Sequence, residues 1–319
     1  MQNRSGSGYP SFWLDKPYYS FHAYCRHVFD EKLYKIALDG GMTCPNRDGR
    51  LGKRGCIFCN GGSGAFAVKT ETLSVSDQIR QGLSLFGCKR TGSRFIAYFQ
   101  AYTNTYAPVP HLRALYTQAL DAPEIAGISI ATRPDCLPED VLDLLTSLKQ
   151  AYPEKLIWIE LGLQTIHSRT AAYIRRGYPL SCFTKAVNEL SLRRIPVIVH
   201  IILGLPGETK EQMYETVSFL NTLPVFGVKL QLLHILQDTD LADEYLRGNC
   251  KVLEQDEYIM LVTGALERLS PQIVIHRLTG DGPRNLLLAP EWSLHKRSVL
   301  NAIHQDMRIR NTWQGRLAR

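Results

Sequence analysis

The sequence predicts an α/β fold: a partial (β/α)6 TIM-type barrel of parallel strands, followed by a small C-terminal α/β extension. From residue 33 onward, short apolar runs alternate with amphipathic stretches, the order expected of strand–helix units. Each apolar run is continuous rather than alternating, which is typical of strands buried on both faces. Six such units in about 200 residues leave the barrel two units short of the closed eight-unit form.

The elements follow one another in regular order. Strands are predicted at 33–38, 94–100, 127–131, 156–161, 197–203 and 228–233. Helices are predicted at 76–86, 111–120, 138–150, 168–193 and 210–220. Ser76 is the candidate N-cap of the first helix, and Pro138 lies in the first turn of the third.

The regular alternation of strands and helices ends near residue 240. Beyond it, a helix at 254–269, a strand at 272–278 and a basic helical end are predicted. We therefore expect three parts. These are an N-terminal extension (1–32), the barrel (33–240) and a basic C-terminal domain that caps the barrel (241–319).

Composition narrows the class of protein. The chain is 45% hydrophobic and 21% charged, as in ordinary globular proteins. It has no apolar run of ~20 residues, the length that spans a bilayer, and its start lacks the layout of a signal peptide. We expect a cytoplasmic protein without a membrane partner. From His276 onward eight basic residues face three acidic ones, which fits either a polyanionic partner or a solvated surface.

Three of the eight cysteines, Cys44, Cys56 and Cys59, follow the first predicted strand. Cys56 and Cys59 form a C-x-x-C, which can hold one metal ion or two corners of an iron–sulfur cube. Three thiolates on a 4Fe–4S cluster leave one iron open, whereas a closed zinc site needs four ligands. Zinc remains an alternative at this point. The candidates for its fourth ligand are Cys25, His22 and His27.

The cysteine loop reads C-P-N-R-D-G from Cys44 and C-I-F-C-N from Cys56, with Phe58 beside whatever an open iron would bind. These motifs resemble the radical S-adenosylmethionine (SAM) superfamily. More narrowly, they resemble its YhcC/YtqA-type group, which is related to the Elongator catalytic subunit. The cysteine spacing departs from the commonest C-x3-C-x2-C, although long-spaced variants occur in this group. The resemblance covers residues 18 to 316 approximately and implies a 4Fe–4S cluster and SAM as cofactors.

The strongest further motif is E-L-G-L-Q, which begins at Glu160 and is followed by R-G-Y at 176–178. By resemblance, Gln164 hydrogen-bonds the ribose of SAM and Arg176 pairs with its carboxylate. An amide suits a hydroxyl, and a guanidinium suits a carboxylate. Glu160, also a candidate for SAM binding, is expected to face the barrel mouth, since an unpaired carboxylate in a buried strand would be costly.

Two other strand ends carry polar candidates for SAM binding. Gln100 and Thr103 follow the second strand, where the superfamily has a motif that contacts the methionyl amino group. Arg133 lies in A-T-R-P-D after the third strand. Similar proteins have an acidic residue where this chain has Ala131, and Arg133 could instead form a local pair with Asp135.

The fifth strand and its loop supply the last candidates for SAM binding. His200 occupies the place of an aspartate that touches SAM in related porphyrin enzymes, although a lone strand histidine is often a core residue. Leu205 lies in G-L-P-G-E, where Gly204 and Gly207 would let the backbone approach adenine closely.

The sixth strand places Lys229 and His234 in apolar sequence. A lysine there is costly unless it points into a cavity, so both residues are candidates for substrate binding or proton transfer. Further along, His276, Arg277 and Arg284 could cap the barrel mouth or belong to a packed turn.

The resemblance implies an activity. One electron from a flavodoxin or ferredoxin would cleave SAM to a 5′-deoxyadenosyl radical, which abstracts hydrogen from a substrate. Together with the basic tail, the resemblance implies tRNA as the substrate. The implied reaction is the conversion of 5-carboxymethylaminomethyluridine to 5-aminomethyluridine at the wobble position. Two alternatives remain: a radical SAM enzyme for a small molecule such as a tetrapyrrole, and a non-catalytic zinc-binding nucleic-acid module.

Overall fold

Seven parallel strands form the main sheet of the computed structural model, which describes residues 9–61, 74–86, 92–280 and 282–318. In sheet order they are β1 (Tyr34–Leu38), β2 (Phe95–Phe99), β3 (Ile125–Thr132), β4 (Leu156–Gln164), β5 (Val197–Leu203), β6 (Gly227–Leu232) and β8 (Val274–Arg277). An antiparallel pair, β7 (Ile235–Leu236) and β9 (Leu287–Ala289), lies apart from this sheet. Lys229 of β6 contacts Tyr98 of β2 and Glu160 of β4, so the sheet curls around its interior. The predicted partial barrel is confirmed.

Ten α-helices occur in the described ranges. They are α1 (Phe21–Phe29), α2 (Val75–Phe86), α3 (Val109–Asp121), α4 (Glu139–Ala151), α5 (Ser168–Tyr173), α6 (Leu180–Leu192), α7 (Lys210–Phe219), α8 (Asp240–Leu246), α9 (Gln255–Arg268) and α10 (Lys296–Ile309). None of them is long and apolar enough to cross a membrane.

Two helix predictions need correction. The helical region expected near 168–193 contains two helices, because Arg175, just after the end of α5, has a φ of +56° and Pro179 then caps α6. A left-handed residue after the C-cap ends one helix, and a proline is favourable at the start of the next. The N-cap of α2 is Ser74 rather than Ser76, since the Ser74 hydroxyl accepts a hydrogen bond from the Asp77 amide at 3.1 Å.

The strand predicted at 272–278 joins the barrel sheet instead of standing in a separate extension. As β8 it runs parallel to β6, with Gly227 paired to Val274 and Lys229 paired to Arg277. The prediction of six strands in the barrel sheet is therefore one too few, since the sheet has seven. The connection from β6 to β8 holds β7, α8 and α9, which hides the regular strand–helix rhythm from a sequence pattern.

Helix α1, which the sequence pattern did not predict, closes the barrel at the amino ends of the strands. Ser20 caps it by accepting a hydrogen bond from the Ala23 amide. Phe21 stacks on His276 with ring centroids 4.8 Å apart, and Tyr24 lies edge-on to Phe226 at 5.0 Å. Both α1 rings also contact Trp158, which is 1% exposed. We call this cluster the aromatic plug. Among the described residues the plug fills the amino end, and the cavity opens at the carboxyl end.

The C-terminal segment runs along the outside of the barrel from its carboxyl end to its amino end. Trp292, just before α10, donates to the carbonyl of Leu253 near the start of α9. Gly315, beyond α10, donates to Leu266 near the end of α9. The exposed Arg308 is therefore at the amino end of the barrel. Asp281 and Arg319 of the basic tail lie outside the described residues.

We expect Trp158→Ala to lower the free energy of unfolding by about 3–5 kcal/mol, because a large buried ring is lost from the aromatic plug. Chemical denaturation of wild type and variant at equal cluster content measures the change. Leu192→Ala is the control, since Leu192 is 78% exposed and should change stability by roughly 0.5 kcal/mol or less. Equal effects of the two substitutions would contradict a packed plug.

Candidate active site

A cavity of about 320 Å³ opens at the carboxyl ends of the strands, where parallel barrels bind their ligands. Its wall contains all three clustered cysteines and most of the side chains predicted to bind SAM or substrate. These are Cys44, Cys56, Cys59, Phe58, Gln100, Thr103, Arg133, Glu160, Gln164, Arg176, His200, Lys229 and His234. Residues spread over 190 positions of sequence thus share one cavity.

The cysteine loop is held by short-range backbone hydrogen bonds. The amides of Arg47 and Asp48 donate to the carbonyl of Cys44 at 2.8 and 3.1 Å, and the amide of Cys59 donates to the carbonyl of Cys56 at 3.0 Å. Arg47 also donates from its guanidinium to the carbonyl of Cys59. These turns direct the three thiols to the wall of one cavity.

Asn46 connects this loop to the rest of the barrel. Its side-chain amide donates to the carbonyl of Arg175 at 2.7 Å and approaches the Cys56 sulfur at 3.5 Å. Burial and the neighbouring Cys59 raise the pKa of Cys56 to about 11. The Cys56 thiolate therefore needs an adjacent positive charge, which a bound metal centre provides.

The cysteine site fits an open iron–sulfur cluster better than closed zinc. The proposed fourth zinc ligands, Cys25, His22 and His27, lie on or within α1 at the opposite end of the barrel. Over the described ranges, no three His, Cys, Asp or Glu side chains are close enough to hold a single metal ion. Thiolates on separate irons of a cube are farther apart than thiolates on one zinc ion. The zinc site considered from the sequence is therefore wrong, because its proposed fourth ligands lie far from the three cysteines.

Gln164 ends β4 with a φ of +65° and turns its side chain to the cavity wall. Its Oε1 atom is buried and accepts no hydrogen bond from the described residues. A Cβ at Gly162 would lie 2.8 Å from the Gln164 amide nitrogen, so a side chain there would displace the Gln164 amide from this position. A buried acceptor without a donor is costly, and a ligand hydroxyl would satisfy it. This geometry fits the ribose contact that the resemblance implies.

Arg176 is 3% exposed and already holds the turn around it. It donates to the carbonyls of Leu163 at 3.0 Å, Thr165 at 2.5 Å and Tyr178 at 3.1 Å. None of these bonds uses Nη2. A pairing of Arg176 with the SAM carboxylate would have to use that nitrogen, and it stays a prediction.

Arg133 forms the local pair that the sequence left open. Its Nε and Nη2 atoms donate to the two oxygens of Asp135 at 2.9 and 2.8 Å. The same guanidinium lies 4.9 Å from the ring centroid of Tyr178 and remains on the cavity wall. A contact between Arg133 and SAM would have to be made beside this pair.

Leu205 is the one predicted SAM-binding residue whose side chain does not reach the cavity wall. It is 2% exposed and packs in a hydrophobic cluster with Ile57, Ile174 and Leu233. Gly204 and Gly207 have φ of +87° and +83°, and a Cβ at Gly204 would lie 2.9 Å from Leu253. None of residues 204–207 lines the cavity, so a contact between the backbone of this loop and adenine stays a prediction.

Glu160 does not face the barrel mouth as predicted. It lies inside β4 with its side chain fully buried, and it is stable there because four groups contact it. Lys35 and Ser129 reach one oxygen at 2.7 and 2.6 Å, while His200 at 2.6 Å and Lys229 reach the other. Burial alone would raise the pKa of Glu160, but Lys229, Lys35 and His200 lower it well below its usual value.

The same network changes the expectation for His200. Burial, then repulsion by Lys229, lowers the pKa of His200 to about 4, so the ring is neutral near neutral pH. Its Nε2 lies 2.6 Å from Glu160, which makes the core interpretation the better description. Lys229 faces the cavity, as expected, with its amine 3.2 Å from the Tyr98 hydroxyl.

The structure places the remaining candidates, His234, Arg277 and His276, in different surroundings. His234 packs beneath the turn after β8, where a Cβ at Gly280 would lie 2.6 Å from the imidazole. Arg277, Gly280 and Gly282 line the cavity. His276 does not cap the mouth, because it is part of the aromatic plug.

Sequence reasoning missed several residues of the site. Tyr98 and Lys35 point inward from β2 and β1, and a polar residue within an otherwise apolar strand was the available signal. For Asn46, nothing in the sequence pointed to the site apart from its place in the C-P-N-R-D-G motif. Three basic residues of the cysteine loop, Arg50, Lys53 and Arg54, are exposed, and their charge was visible in the sequence.

Two family models match the chain: the Radical SAM superfamily at residues 48–220 and the Radical_SAM C-terminal domain at 225–309. The uncharacterized protein YtqA of Bacillus subtilis is 42% identical over 317 residues, which covers 99% of this chain and 96% of YtqA. The tRNA uridine(34) acetyltransferase of Methanocaldococcus jannaschii is 24% identical over 165 residues, 51% of this chain and 29% of that protein.

Among solved structures, Elp3 of Methanocaldococcus infernus with an N-terminal deletion superposes with a TM-score of 0.67 at 14% identity. The match covers 89% of this chain but 64% of Elp3, less than two thirds of that protein, and it supports the fold. Members of the matched family use a 4Fe–4S cluster and SAM, and the three cysteines that would hold the cluster lie on the cavity wall. The chain belongs to the radical SAM superfamily, in its YhcC/YtqA-type group related to the Elongator catalytic subunit.

Proposed function

We propose that this radical SAM enzyme modifies the wobble uridine of tRNA, converting 5-carboxymethylaminomethyluridine to 5-aminomethyluridine. In this conversion the bond between nitrogen and the carboxymethyl carbon breaks, SAM would be the two-electron oxidant, and water would release the two carbons as glyoxylate. The observation that carries the tRNA proposal is the exposed basic edge of the cysteine loop, formed by Arg50 and Lys53 and by Arg54, which is paired with Asp240 at 3.3 Å. This edge belongs to the same loop as Cys44 and Cys56, which line the cavity. A relative that matches half of this chain has a name stating that it acts on tRNA uridine(34). A base that is to be modified must enter the cavity while its phosphates stay outside.

The chain's own residues have separate tasks in this proposal. A bound 4Fe–4S cluster with SAM supplies the 5′-deoxyadenosyl radical. Cys44, Cys56 and Cys59 hold the cluster, and Gln164 and Arg176 orient SAM. Tight packing of the plug below and of the turn over His234 excludes water from the cavity. A flavodoxin or ferredoxin is the proposed electron donor.

The basic residues of the tail divide between the two ends of the barrel. Arg284 and Arg297 are exposed near the start of α10, whereas Arg308 and Arg310 are exposed at its far end. Arg310 is also paired with Asp306 at 3.2 Å. The far end cannot contact the phosphates that flank a base in the cavity. We therefore assign the phosphate contacts nearest the modified base to the cysteine loop rather than to the tail.

Anaerobic reconstitution should load about four irons per chain, with broad visible absorption and release of 5′-deoxyadenosine from SAM on reduction. Cys56→Ala should lose most of the iron and all of the SAM cleavage, because one thiolate ligand is removed. Cys182→Ala is the matched control, since Cys182 is on α6 and should keep both properties. One zinc per chain in place of iron would overturn the assignment.

Asn46→Leu should lower the midpoint potential of the cluster. The Asn46 amide approaches the Cys56 sulfur, and a donor stabilises the more negative, reduced cluster. A hydrogen bond worth about 1 kcal/mol corresponds to roughly 40 mV for one electron. Redox titration followed by electron paramagnetic resonance measures this shift. Asn249→Leu, at an exposed position, should leave the potential unchanged; an unshifted Asn46→Leu would refute the role.

Binding of tRNA should weaken steeply as salt rises, because phosphate contacts release counterions. Lys53→Ala should reduce the magnitude of the log–log salt slope by about one, whereas Arg308→Ala at the far end of the barrel should not change it. Filter binding at several salt concentrations, with matched iron content, measures both slopes. Absence of tRNA affinity at low salt would remove the tRNA proposal.

The nucleosides of a strain that lacks this gene separate tRNA from a small-molecule substrate. Under the proposal, 5-carboxymethylaminomethyluridine accumulates and 5-aminomethyluridine falls in digested tRNA. A normal ratio of these two nucleosides would instead favour a small-molecule substrate such as a tetrapyrrole.

A further inference from the structure

The guanidinium of Arg47 lies inside the cysteine loop, where it donates a hydrogen bond to the carbonyl of Cys59. A Cβ at Gly55 would lie 2.9 Å from the Arg47 Nε and Nη2 atoms, and a Cβ at Gly61 would lie 3.2 Å from Nη1. Both glycines therefore leave the space that the guanidinium fills. The ring of Tyr102, in the segment after β2, has its centroid 5.8 Å from the Arg47 Cζ atom. These contacts fix the position of the guanidinium within the loop.

No carboxylate of the described residues forms an ion pair with Arg47, whereas Arg54 of the same loop pairs with an aspartate. Burial alone would lower the pKa of Arg47, but its interactions with Cys59, Tyr102 and Cys44 raise it. Two of these three residues are cysteines that would hold the cluster. The positive charge of Arg47 therefore acts chiefly on the thiols of the cluster site.

A fixed positive charge at this position favours the reduced form of a bound 4Fe–4S cluster. Reduction adds one negative charge to the cluster and its thiolates, and the reduction potential depends on the charge and the hydrogen bonds around them. An arginine side chain keeps its positive charge over the whole working pH range. Because Arg47 is half-buried, its attraction for the added electron is screened less than that of an exposed side chain.

Arg47 and Asn46 act on different thiols of the site. The Asn46 amide approaches the Cys56 sulfur at 3.5 Å, whereas the charge of Arg47 acts on Cys59 and Cys44. A full charge interacts more strongly and over a longer distance than the dipole of a neutral amide. We therefore expect Arg47 to change the potential more than Asn46 does.

We propose that Arg47 raises the reduction potential of the cluster by placing a permanent positive charge beside two of its three cysteine ligands. The higher potential makes the cluster easier for an electron donor to reduce. Since this step precedes any reaction of the substrate, the inference goes beyond the proposed function. It holds equally for a tRNA and for a small-molecule substrate.

Arg47→Gln removes the charge, and its amide can still donate to the carbonyl of Cys59. At a fixed potential, the ratio of reduced to oxidised cluster should fall at least about tenfold, which corresponds to about 59 mV for one electron. Arg47→Lys keeps the positive charge and should stay within about threefold of wild type. Redox titration followed by electron paramagnetic resonance, at matched iron content and without SAM or tRNA, measures these ratios.

Arg50→Gln is the matched control, because Arg50 is exposed in the same loop and lies beside the ring of Tyr106. Its ratio should change by less than about twofold, since an exposed charge is screened by solvent and salt. An unshifted Arg47→Gln would overturn the inference, and so would equal falls in Arg47→Gln and Arg47→Lys, because these would indicate a structural role without a contribution from charge.

If Arg47→Gln holds too little iron for titration, Arg47→Lys decides alone. A wild-type ratio in Arg47→Lys supports the role of the charge, and a fall of tenfold or more contradicts it. The tRNA measurements stay separate from this result. Absence of tRNA affinity would remove the tRNA proposal and leave the shift at Arg47 in place, whereas tRNA binding with an unshifted potential would remove only the inference about Arg47.

Discussion

The barrel interior depends on the carboxylate of Glu160. Through its contacts with Lys35, Ser129, His200 and Lys229, it joins five of the seven parallel strands at one level. Removing one partner from a buried ion pair typically costs about 3–5 kcal/mol, so each member constrains the others. This charged layer also separates the dry aromatic plug below it from the polar cavity above.

That separation determines where chemistry can occur. Below the layer, Trp158, Phe226 and the rings of α1 pack against one another and fill the described part of the amino end. Above it, the strand ends and their loops form a cavity whose wall carries thiols on one part and cations on another. The cysteine loop is tied to the barrel through Asn46 and Arg175, so the position of the cluster is coupled to the turn that holds Arg176.

Much of the site could be predicted because radical SAM motifs are local. The three cysteines, Gln164 and the glycines of G-L-P-G-E each lie at a strand end, and continuous apolar runs identify those strands. The structure brings the three cysteines and Gln164 to one cavity wall, whereas the glycines of G-L-P-G-E do not line it, and the individual contacts with SAM remain predictions. Errors arose where local patterns compete: Ser74 and Ser76 are both plausible N-caps, and Arg175 with Pro179 divides a stretch that has helical composition.

The sequence by itself determined the parallel α/β barrel, the cysteine loop and the strand ends from which the site is built, because each depends on neighbours close along the chain. Only the tertiary structure decided that Glu160 is buried with four partners, that His276 belongs to the plug and that Arg277 stands beside Lys229. These outcomes depend on residues 31 to 255 positions apart that meet once the sheet curls. Burial and charge balance across the barrel, which no local pattern contains, set their roles.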